Sequence, residues 1–206
     1  MRTRALLAAA VVASCCIAFP AWAEKGDMRV QLGVLYNLPT DDLAEPGETL
    51  ELDDSFGFQF SFEYMVTNTI GIEPSLGFSN HDVQVTDSGL PDFDLGDIDY
   101  RALMANVNLY VLRKDKLDVY VGPTVGYVFW GDVETDFFGQ QEKLDADGEL
   151  AFGVNAGLNT PFGDGKWAFS AALSYVFMDA SLQGSAVEPD LGVDPLQFRA
   201  GVSFKF

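Results

Sequence analysis

Residues 55–66 carry the sequence SFGFQFSFEYMV, and this stretch decides the fold class. Every even position from Phe56 to Val66 is apolar, and five of those six residues are aromatic. The odd positions are mostly small or polar. A period of two places successive side chains on opposite faces of a β-strand, so this stretch predicts an amphipathic strand.

The same alternation recurs along the rest of the chain. A strand that crosses a membrane at a tilt needs about 9–11 residues, and single-chain bacterial barrels have an even number of strands. Together with 56–66, the alternating segments predict an all-β fold, an eight-stranded antiparallel up-and-down transmembrane β-barrel. The other seven segments are 28–36, 70–78, 103–111, 117–129, 150–158, 167–177 and 196–206.

Alternation alone does not say which face points outward, because a soluble ligand-carrying barrel alternates too, with its apolar face inside. The polar face here carries mainly Gly, Ala, Ser, Asn and Thr instead of the charged residues of a water-exposed sheet. An eight-stranded interior is only just wide enough for side chains and does not hold a row of aromatic rings from one strand. The aromatic face is therefore predicted to meet lipid.

The N-terminus has the pattern of an export signal. Residues 1–4 include two arginines, residues 5–18 are almost entirely apolar, and Ala21 and Ala23 form an A-x-A cleavage site before Glu24. Residues 12–15 also resemble a lipoprotein-processing box, and an uncleaved anchor is a third alternative, although a spanning helix needs about 20 apolar residues. We expect residues 1–23 to be a cleaved secretory signal peptide and residues 24–206 to be the barrel domain.

Composition excludes several functions. The chain has 31 acidic against 12 basic residues and a net charge of −19, so it lacks the Lys and Arg needed to bind nucleic-acid backbones. A hydrophobic content of 48% is too high for a disordered acidic chain. Both cysteines, Cys15 and Cys16, precede the predicted cleavage site, so neither a disulfide nor a thiolate metal site is expected in the barrel.

The connections alternate between short and long. Segments 67–69, 113–116 and 161–166 are short, whereas 39–54, 80–99, 131–149 and 179–194 are long and are predicted to be loops. Outer-membrane barrels have short periplasmic turns and long external loops, which would place both termini in the periplasm. Pro74 and Pro123 lie inside predicted strands and donate no ladder hydrogen bond, so we expect a bulge or a broken ladder near each.

With these features the chain resembles the small eight-stranded barrels of the bacterial outer membrane, such as outer membrane proteins A, X and W of Gram-negative cells. The resemblance covers residues 24–206. Its most specific element is the C-terminal strand, which looks like the signal read by the barrel assembly machinery; its outward residues are Phe198, Ala200, Val202, Phe204 and Phe206. The resemblance implies an integral protein in contact with outer-membrane lipid and lipopolysaccharide.

Charged side chains on the lumen face form the first candidate site. Three acids and three bases are predicted to point into one narrow space, where charges must pair or stay hydrated. They would form a salt-bridge network that plugs the barrel or a polar gate in a narrow conduit. The residues are Arg29, Glu63, Glu73, Asp118, Arg199 and Lys205.

The long connections hold 24 of the 31 acidic residues. Such a surface attracts divalent cations and cationic partners, and oxygen-rich loops suit Ca²⁺ or Mg²⁺. The weak metal candidates are Asp92, Asp94, Asp97, Asp99, Asp145, Asp147 and Glu149, whose spacing matches no EF-hand. The alternative is a solvated acidic surface without a specific ion site.

Three functions remain. We expect a non-catalytic barrel with a polar, largely plugged lumen, acting through its acidic loops in surface interaction, cation binding or envelope structure. The alternative is a narrow porin-like channel for small, even hydrophobic, solutes, as resemblance to outer membrane protein W would imply. A lipid hydrolase or acyltransferase is a third option, but the single histidine, His81, lies near only Ser79 and Asp82 in sequence, which is a poor triad, and we expect it to be an exposed rim residue.

Overall fold

The computed structural model describes residues 24–40, 43–45, 48–87, 93–114, 116–131, 133–137, 140–146, 148–183, 190–192 and 194–206. The predicted signal peptide, residues 1–23, lies outside the described residues. Among the described residues no helix is long and apolar enough to cross a membrane. The strands there are β1 (Met28–Leu38), β2 (Leu43–Glu45), β3 (Glu48–Leu52), β4 (Ser55–Met65), β5 (Ile70–Asp87), β6 (Phe93–Lys114), β7 (Leu117–Trp130), β8 (Val133–Phe137), β9 (Gln140–Ala146), β10 (Glu149–Phe162), β11 (Trp167–Phe177), β12 (Asp179–Gln183), β13 (Asp190–Gly192) and β14 (Leu196–Lys205).

Eight of these strands close into a barrel. Each pairs antiparallel with the next in the ring β1, β4, β5, β6, β7, β10, β11 and β14. The ring is completed by β14 and β1, which pair over the full register from Arg29 with Lys205 to Leu38 with Leu196. The predicted eight-stranded antiparallel up-and-down barrel is confirmed.

The apolar face points outward. Phe58 on β4 is 65% exposed to the surroundings of the barrel, whereas Met65, on the other face of the same strand, is 1% exposed. The period-two pattern of residues 55–66 is thus an inside-outside pattern, as the sequence predicts. Each of the eight barrel strands has large apolar side chains on this exposed face. Such a surface is stable in hydrocarbon and unstable in water.

One end of the barrel has tight turns. Residues 163–166 connect β10 to β11, and Gly163 and Gly165 have positive φ values of 62° and 78°, a backbone conformation that glycine adopts without steric cost. The connections from β4 to β5 and from β6 to β7 lie at the same end. We call this the short-turn end.

The opposite end, the hairpin end, differs from the prediction. Residues 80–99 were predicted to be a loop, but β5 continues to Asp87 and β6 begins at Phe93, so these strands pair far beyond the apolar band. The hairpin of β2 and β3 extends the same sheet through β5, and β8, β9, β12 and β13 form a second sheet of four strands. Acidic residues are frequent in 80–99 and the alternating stretches there, such as Val83-Gln84-Val85-Thr86, are short, which is why the sequence predicts a loop.

Both prolines interrupt the ladder, as expected. Between β4 and β5 the pairing lapses from Ser61–Ser75 to Tyr64–Ile72, beside Pro74, without a change of register. Between β6 and β7 it lapses from Asn106–Thr124 to Leu109–Val121, beside Pro123. Each gap spares one neighbour from facing a proline nitrogen that has no proton to donate.

Candidate functional site

The short-turn end of the lumen contains a first buried ion pair. Arg29 on β1 lies 3.2 Å from the Glu63 carboxylate on β4, and both side chains are almost completely buried. Tyr110 on β6 donates its hydroxyl proton to both Glu63 oxygens, at 2.8 and 2.9 Å, and accepts a hydrogen bond from Arg29 at 2.9 Å. A charged pair inside a barrel is stable only when such additional hydrogen bonds complete it.

A second pair crosses the lumen a little higher. Arg199 on β14 donates to Glu73 Oε1 on β5 at 2.7 Å and to the Tyr120 hydroxyl on β7 at 3.0 Å. Asn108 joins the two pairs, because its amide donates to Glu63 at 3.0 Å and to Glu73 at 2.7 Å. The strands from opposite sides of the ring are thereby connected through the lumen.

A third pair involves a residue that sequence reasoning assigned to a turn. Arg113 points inward, 3.5 Å from Asp118, and its guanidinium lies 4.6 Å from the centre of the Tyr110 ring, within cation–π range. A β-bulge between Tyr110 and Leu112 shifts the alternation by one residue and turns Arg113 into the lumen. Strict alternation from Tyr110 would direct it to lipid, so the sequence pattern gave no signal for it.

We call this whole assembly the plug. Its apolar part is the buried cluster of Met65, Tyr110 and Tyr120, whose two tyrosine rings are 5.5 Å apart. Its charged part places three arginines against three carboxylates, so its formal charge is balanced. The ionic residues are Arg29, Glu63, Glu73, Arg113, Asp118 and Arg199, and all are at most 7% exposed.

The remaining lumen residue predicted for this network lies elsewhere. Lys205 is at the rim of the short-turn end, where its ammonium is 3.5 Å from Asp27 and both side chains are one-quarter exposed. The structure therefore brings together five of the six predicted residues and adds Arg113 to them.

The hairpin end of the lumen is covered by a second layer, which we call the lid. It consists of His81 on β5, Tyr100 on β6 and Trp130 on β7, with ring centres 5.2 to 6.4 Å apart. Gln197 on β14 donates to the Tyr100 hydroxyl at 3.0 Å. Because β14 stands opposite β6 in the ring, this hydrogen bond extends the lid across the diameter of the lumen.

A small polar chamber separates the plug from the lid. The space open to the centre of a water molecule there is about 20 Å³, enough for a single water site or two. Its walls combine amides and hydroxyls with a few apolar groups. The polar lining residues are Gln59, Ser75, Tyr100, Asn106, Thr124, Asn155, Ser174, Gln197 and Arg199.

With this geometry established, the comparisons with known proteins identify the family. Residues 7–206 match the family described as the outer membrane protein beta-barrel domain. This chain belongs to that family. It is an integral β-barrel of the bacterial outer membrane.

Solved structures share the fold of this outer-membrane barrel. The outer membrane protein OprG from Pseudomonas aeruginosa is 20% identical, with a TM-score of 0.72 over 91% of this chain and 99% of that one. AlkL, solved in lipid bilayers, is 20% identical, with a TM-score of 0.64 over 92% and 94%. Neisserial surface protein A is 15% identical, with a TM-score of 0.59 over 88% and 100%. No curated protein sequence matches the chain.

The histidine of the outer-membrane barrel is not the exposed rim residue expected from sequence. His81 is 3% exposed, and its Nε2 lies 2.9 Å from Ser55 Oγ and 3.4 Å from Ser79 Oγ. Its closest hydroxyl is thus a residue that sequence reasoning missed, because Ser55 is on a different strand. Asp82, the third residue considered for a triad, is on the exposed face of β5.

The metal candidates fall largely outside the described side chains. Asp92 and Asp147 lie outside the described residues, and of Asp94, Asp97 and Asp145 only the backbone is described. Asp99 is exposed and paired with Arg101 at 2.8 Å. Among the described residues no group of three or more His, Cys, Asp or Glu side chains is placed to hold a metal ion.

The predicted assembly signal lies on the outer face of the last strand. Phe198 is 43% exposed, Val202 39% and Phe206 67%, and the Phe204 ring packs 4.8 Å from that of Trp167. These side chains therefore lie on the lipid-facing surface of the closed barrel.

Proposed function

We propose that this protein is a closed, non-catalytic scaffold of the outer membrane that presents its long acidic hairpins at the cell surface. The observation that carries this proposal is the plug: three ion pairs and two tyrosines fill the lumen at the short-turn end. The hairpins would then meet divalent cations, the lipopolysaccharide that binds them, or a cationic partner.

The plug argues against a permanently open pore. A solute that passes must separate at least one of the buried pairs Arg29–Glu63 and Arg199–Glu73, each of which has further hydrogen bonds to a tyrosine or to Asn108. Separating such a pair leaves uncompensated charge in a poorly hydrated space, at a cost of about 3–5 kcal/mol. Open porins avoid this cost because their roughly 16 strands enclose a water-filled channel.

The charge distribution supports a surface role for the hairpin end. The connections at that end contain 24 of the 31 acidic residues, whereas the short turns carry Lys114, Lys116 and Lys166. External loops of such barrels are long and periplasmic turns short, so we place the acidic hairpins outside the cell and both termini in the periplasm. A strongly negative surface concentrates divalent cations and repels polyanions.

Planar-bilayer conductance tests the closed barrel. We expect no single-channel steps from the wild-type protein, and small steps from the R29A/Y110A variant, whose plug loses both a charge and a ring. A D27N variant at the rim serves as the matched control and is expected to stay silent. Steady wild-type steps that disappear when the lumen is chemically blocked would overturn the proposal.

A narrow channel is the second candidate, because the chamber between plug and lid is polar. Amide and hydroxyl groups from several strands line it, and such a space holds water. If the wild-type protein conducts, a channel predicts that the R199M substitution changes ion selectivity, since Arg199 borders both the chamber and the plug.

Calcium titration tests cation binding by the hairpins. We expect a saturable change in intrinsic fluorescence at millimolar calcium or below, which the D92N/D94N/D97N/D99N variant weakens and a D164N control at the short-turn end does not. A featureless titration up to millimolar calcium would leave the hairpins as a solvated acidic surface.

A further inference from the structure

His81 lies beyond the membrane-spanning part of β5. The outward apolar residues of this strand end at Phe78, which is 48% exposed, and the next outward position is Asn80. His81 points inward at this level and is 3% exposed. It is also the single histidine of the chain, so any titration of an imidazole in this protein belongs to it.

The hydrogen bonds of His81 fix its neutral tautomer. Nδ1 is 3.0 Å from the backbone carbonyl of Asp53, which only accepts, so Nδ1 carries the proton. Nε2 is then a bare acceptor, and the Ser55 hydroxyl donates to it at 2.9 Å. Asn37 on β1 donates its amide protons to Ser79 Oγ at 2.8 Å and to Ser55 Oγ at 3.3 Å. The hydrogen bond from Ser55 to His81 Nε2 thus links the start of β4 to β5. Nε2 can accept this bond only while the imidazole is neutral.

The same ring completes the lid. It meets Tyr100 edge-on, with centres 5.9 Å apart, and lies 6.4 Å from Trp130. Tyr100 also borders the polar chamber below. A displacement of His81 therefore removes one wall of the aromatic layer that separates the chamber from the hairpin end.

We propose that His81 is a pH-operated latch that holds the lid closed over the chamber while it is neutral and releases the lid when it is protonated. Protonation converts Nε2 from an acceptor into a donor, so the hydrogen bond that Ser55 donates is lost and the Ser55 hydroxyl must turn to accept one instead. It also places a positive charge on a side chain that is 3% exposed and packs against the rings of Tyr100 and Trp130. An open lid would return that charge to water, so acid favours the open form.

In the closed state, the surroundings of His81 favour its neutral form. Burial lowers the pKa of His81, and the Asp53 carbonyl and the carboxylates of Asp82 and Asp54 oppose that shift only in part. Tyr100 is the titratable group of β6 that contacts the ring. The described neighbours on β1 and β7, Asn37 and Trp130, carry no charge.

The sign of the pH dependence follows from this direction. A base whose pKa in the closed state lies below its hydrated value binds protons more tightly when the lid is open. The closed state is therefore fully favoured above the hydrated value of about 6.5 and loses stability as the pH falls below it. The ratio of open to closed forms then rises by up to about tenfold for each unit by which the two pKa values differ.

Cysteine accessibility provides the test. The processed chain has no cysteine, because Cys15 and Cys16 precede the predicted cleavage site, so A102C introduces a single thiol. Ala102 is 5% exposed and lines the chamber under the lid. The rate at which a methanethiosulfonate reagent modifies A102C is compared with that of A102C/H81N between pH 8 and pH 5, in processed protein purified from membranes. The asparagine introduced by H81N keeps a donor for the Asp53 carbonyl but does not titrate in this range, so the ratio of the two rates removes the ionisation of the thiol itself.

We expect the modification rate of A102C, divided by that of A102C/H81N, to rise several-fold as the pH falls below 6.5. It should return to its starting value on neutralisation. A ratio that stays constant from pH 8 to pH 5 would overturn the latch. If H81N does not fold, as judged by the gel mobility of unheated samples, H81Q replaces it.

Tryptophan fluorescence gives an independent readout. In processed W167F protein Trp130 is the single tryptophan, because Trp22 precedes the predicted cleavage site. Its quenching by acrylamide must rise in acid with His81 present and stay constant in W167F/H81N. The plug lies at the other end of the lumen, so the latch and the closed barrel are tested separately. A constant quenching would overturn the latch even if the barrel conducts no ions, and a pH-dependent quenching would support the latch whether or not the barrel conducts.

Discussion

At the scale of single residues, the ion pair of Arg199 and Glu73 illustrates the energetic asymmetry of a buried charge. The pair is at most 7% exposed and also bonds to Tyr120 and Asn108. We predict that R199M lowers the free energy of unfolding by about 3–5 kcal/mol, because the Glu73 carboxylate remains buried without its partner. Equilibrium unfolding in urea with the protein in lipid vesicles measures this.

The double variant R199M/E73L should recover part of the loss, since neither charge is then left alone. K205M is the matched control, because Lys205 and Asp27 pair at a partly exposed rim, where an ion pair contributes about 0–1 kcal/mol. Equal losses in R199M and K205M would contradict the assignment of Arg199 to a buried plug.

At the scale of the strand, the bulge in β6 determines which way Arg113 points. The pairing passes from Tyr110–Tyr120 directly to Leu112–Val119, which makes Val111 the extra residue. We predict that deletion of Val111 leaves a folded barrel, because the ladder on either side already has the register that a regular strand would have. The stability change should stay below about 3 kcal/mol.

Deletion of Val107, which is outside the bulge, is the comparison. It shifts the rest of the strand by one residue and turns its inward side chains toward lipid. We expect this variant to fail to assemble, judged by heat-modifiable gel mobility and protease resistance in vesicles. Assembly of both variants to the same extent would show that the register of β6 is not specified by its faces.

The limits of sequence-based prediction follow from the same local features. The eight barrel strands could be predicted because one face of each strand meets lipid and the other meets a narrow lumen. These two environments require opposite residue types, which gives every barrel strand a period of two. Arg113 was missed because one inserted residue reverses the alternation, and Ser55 was missed because its contact with His81 joins separate strands. The hairpin strands were predicted to be loops because their alternating stretches are short and rich in acidic residues.

At the scale of the whole molecule, the solvent of the outer face decides the cost of a charge placed there. Phe60 lies at the middle of β4, and Phe56 lies near its hairpin end, 74% exposed. We predict that F60K destabilises the barrel in bilayers by about 2–4 kcal/mol and that F56K costs about 0–1 kcal/mol, because the cost of a lysine depends on its depth. Unfolding titrations in vesicles of one lipid composition measure both. A barrel in water would tolerate the two substitutions equally, which is the outcome that contradicts a lipid-facing surface.

Because β1 pairs with β14, the ring is closed and no barrel strand has a free edge. Phe206 donates its backbone proton to the Met28 carbonyl at 3.0 Å, so the first and last barrel residues are immediate neighbours at one rim. A short linker could join them while new termini are opened at the turn of residues 163–166, and each of the eight strands would keep the same two neighbours. The closed barrel therefore does not depend on which strand comes first in the chain. Circular permutants should reach the same folded structure and differ only in how they assemble.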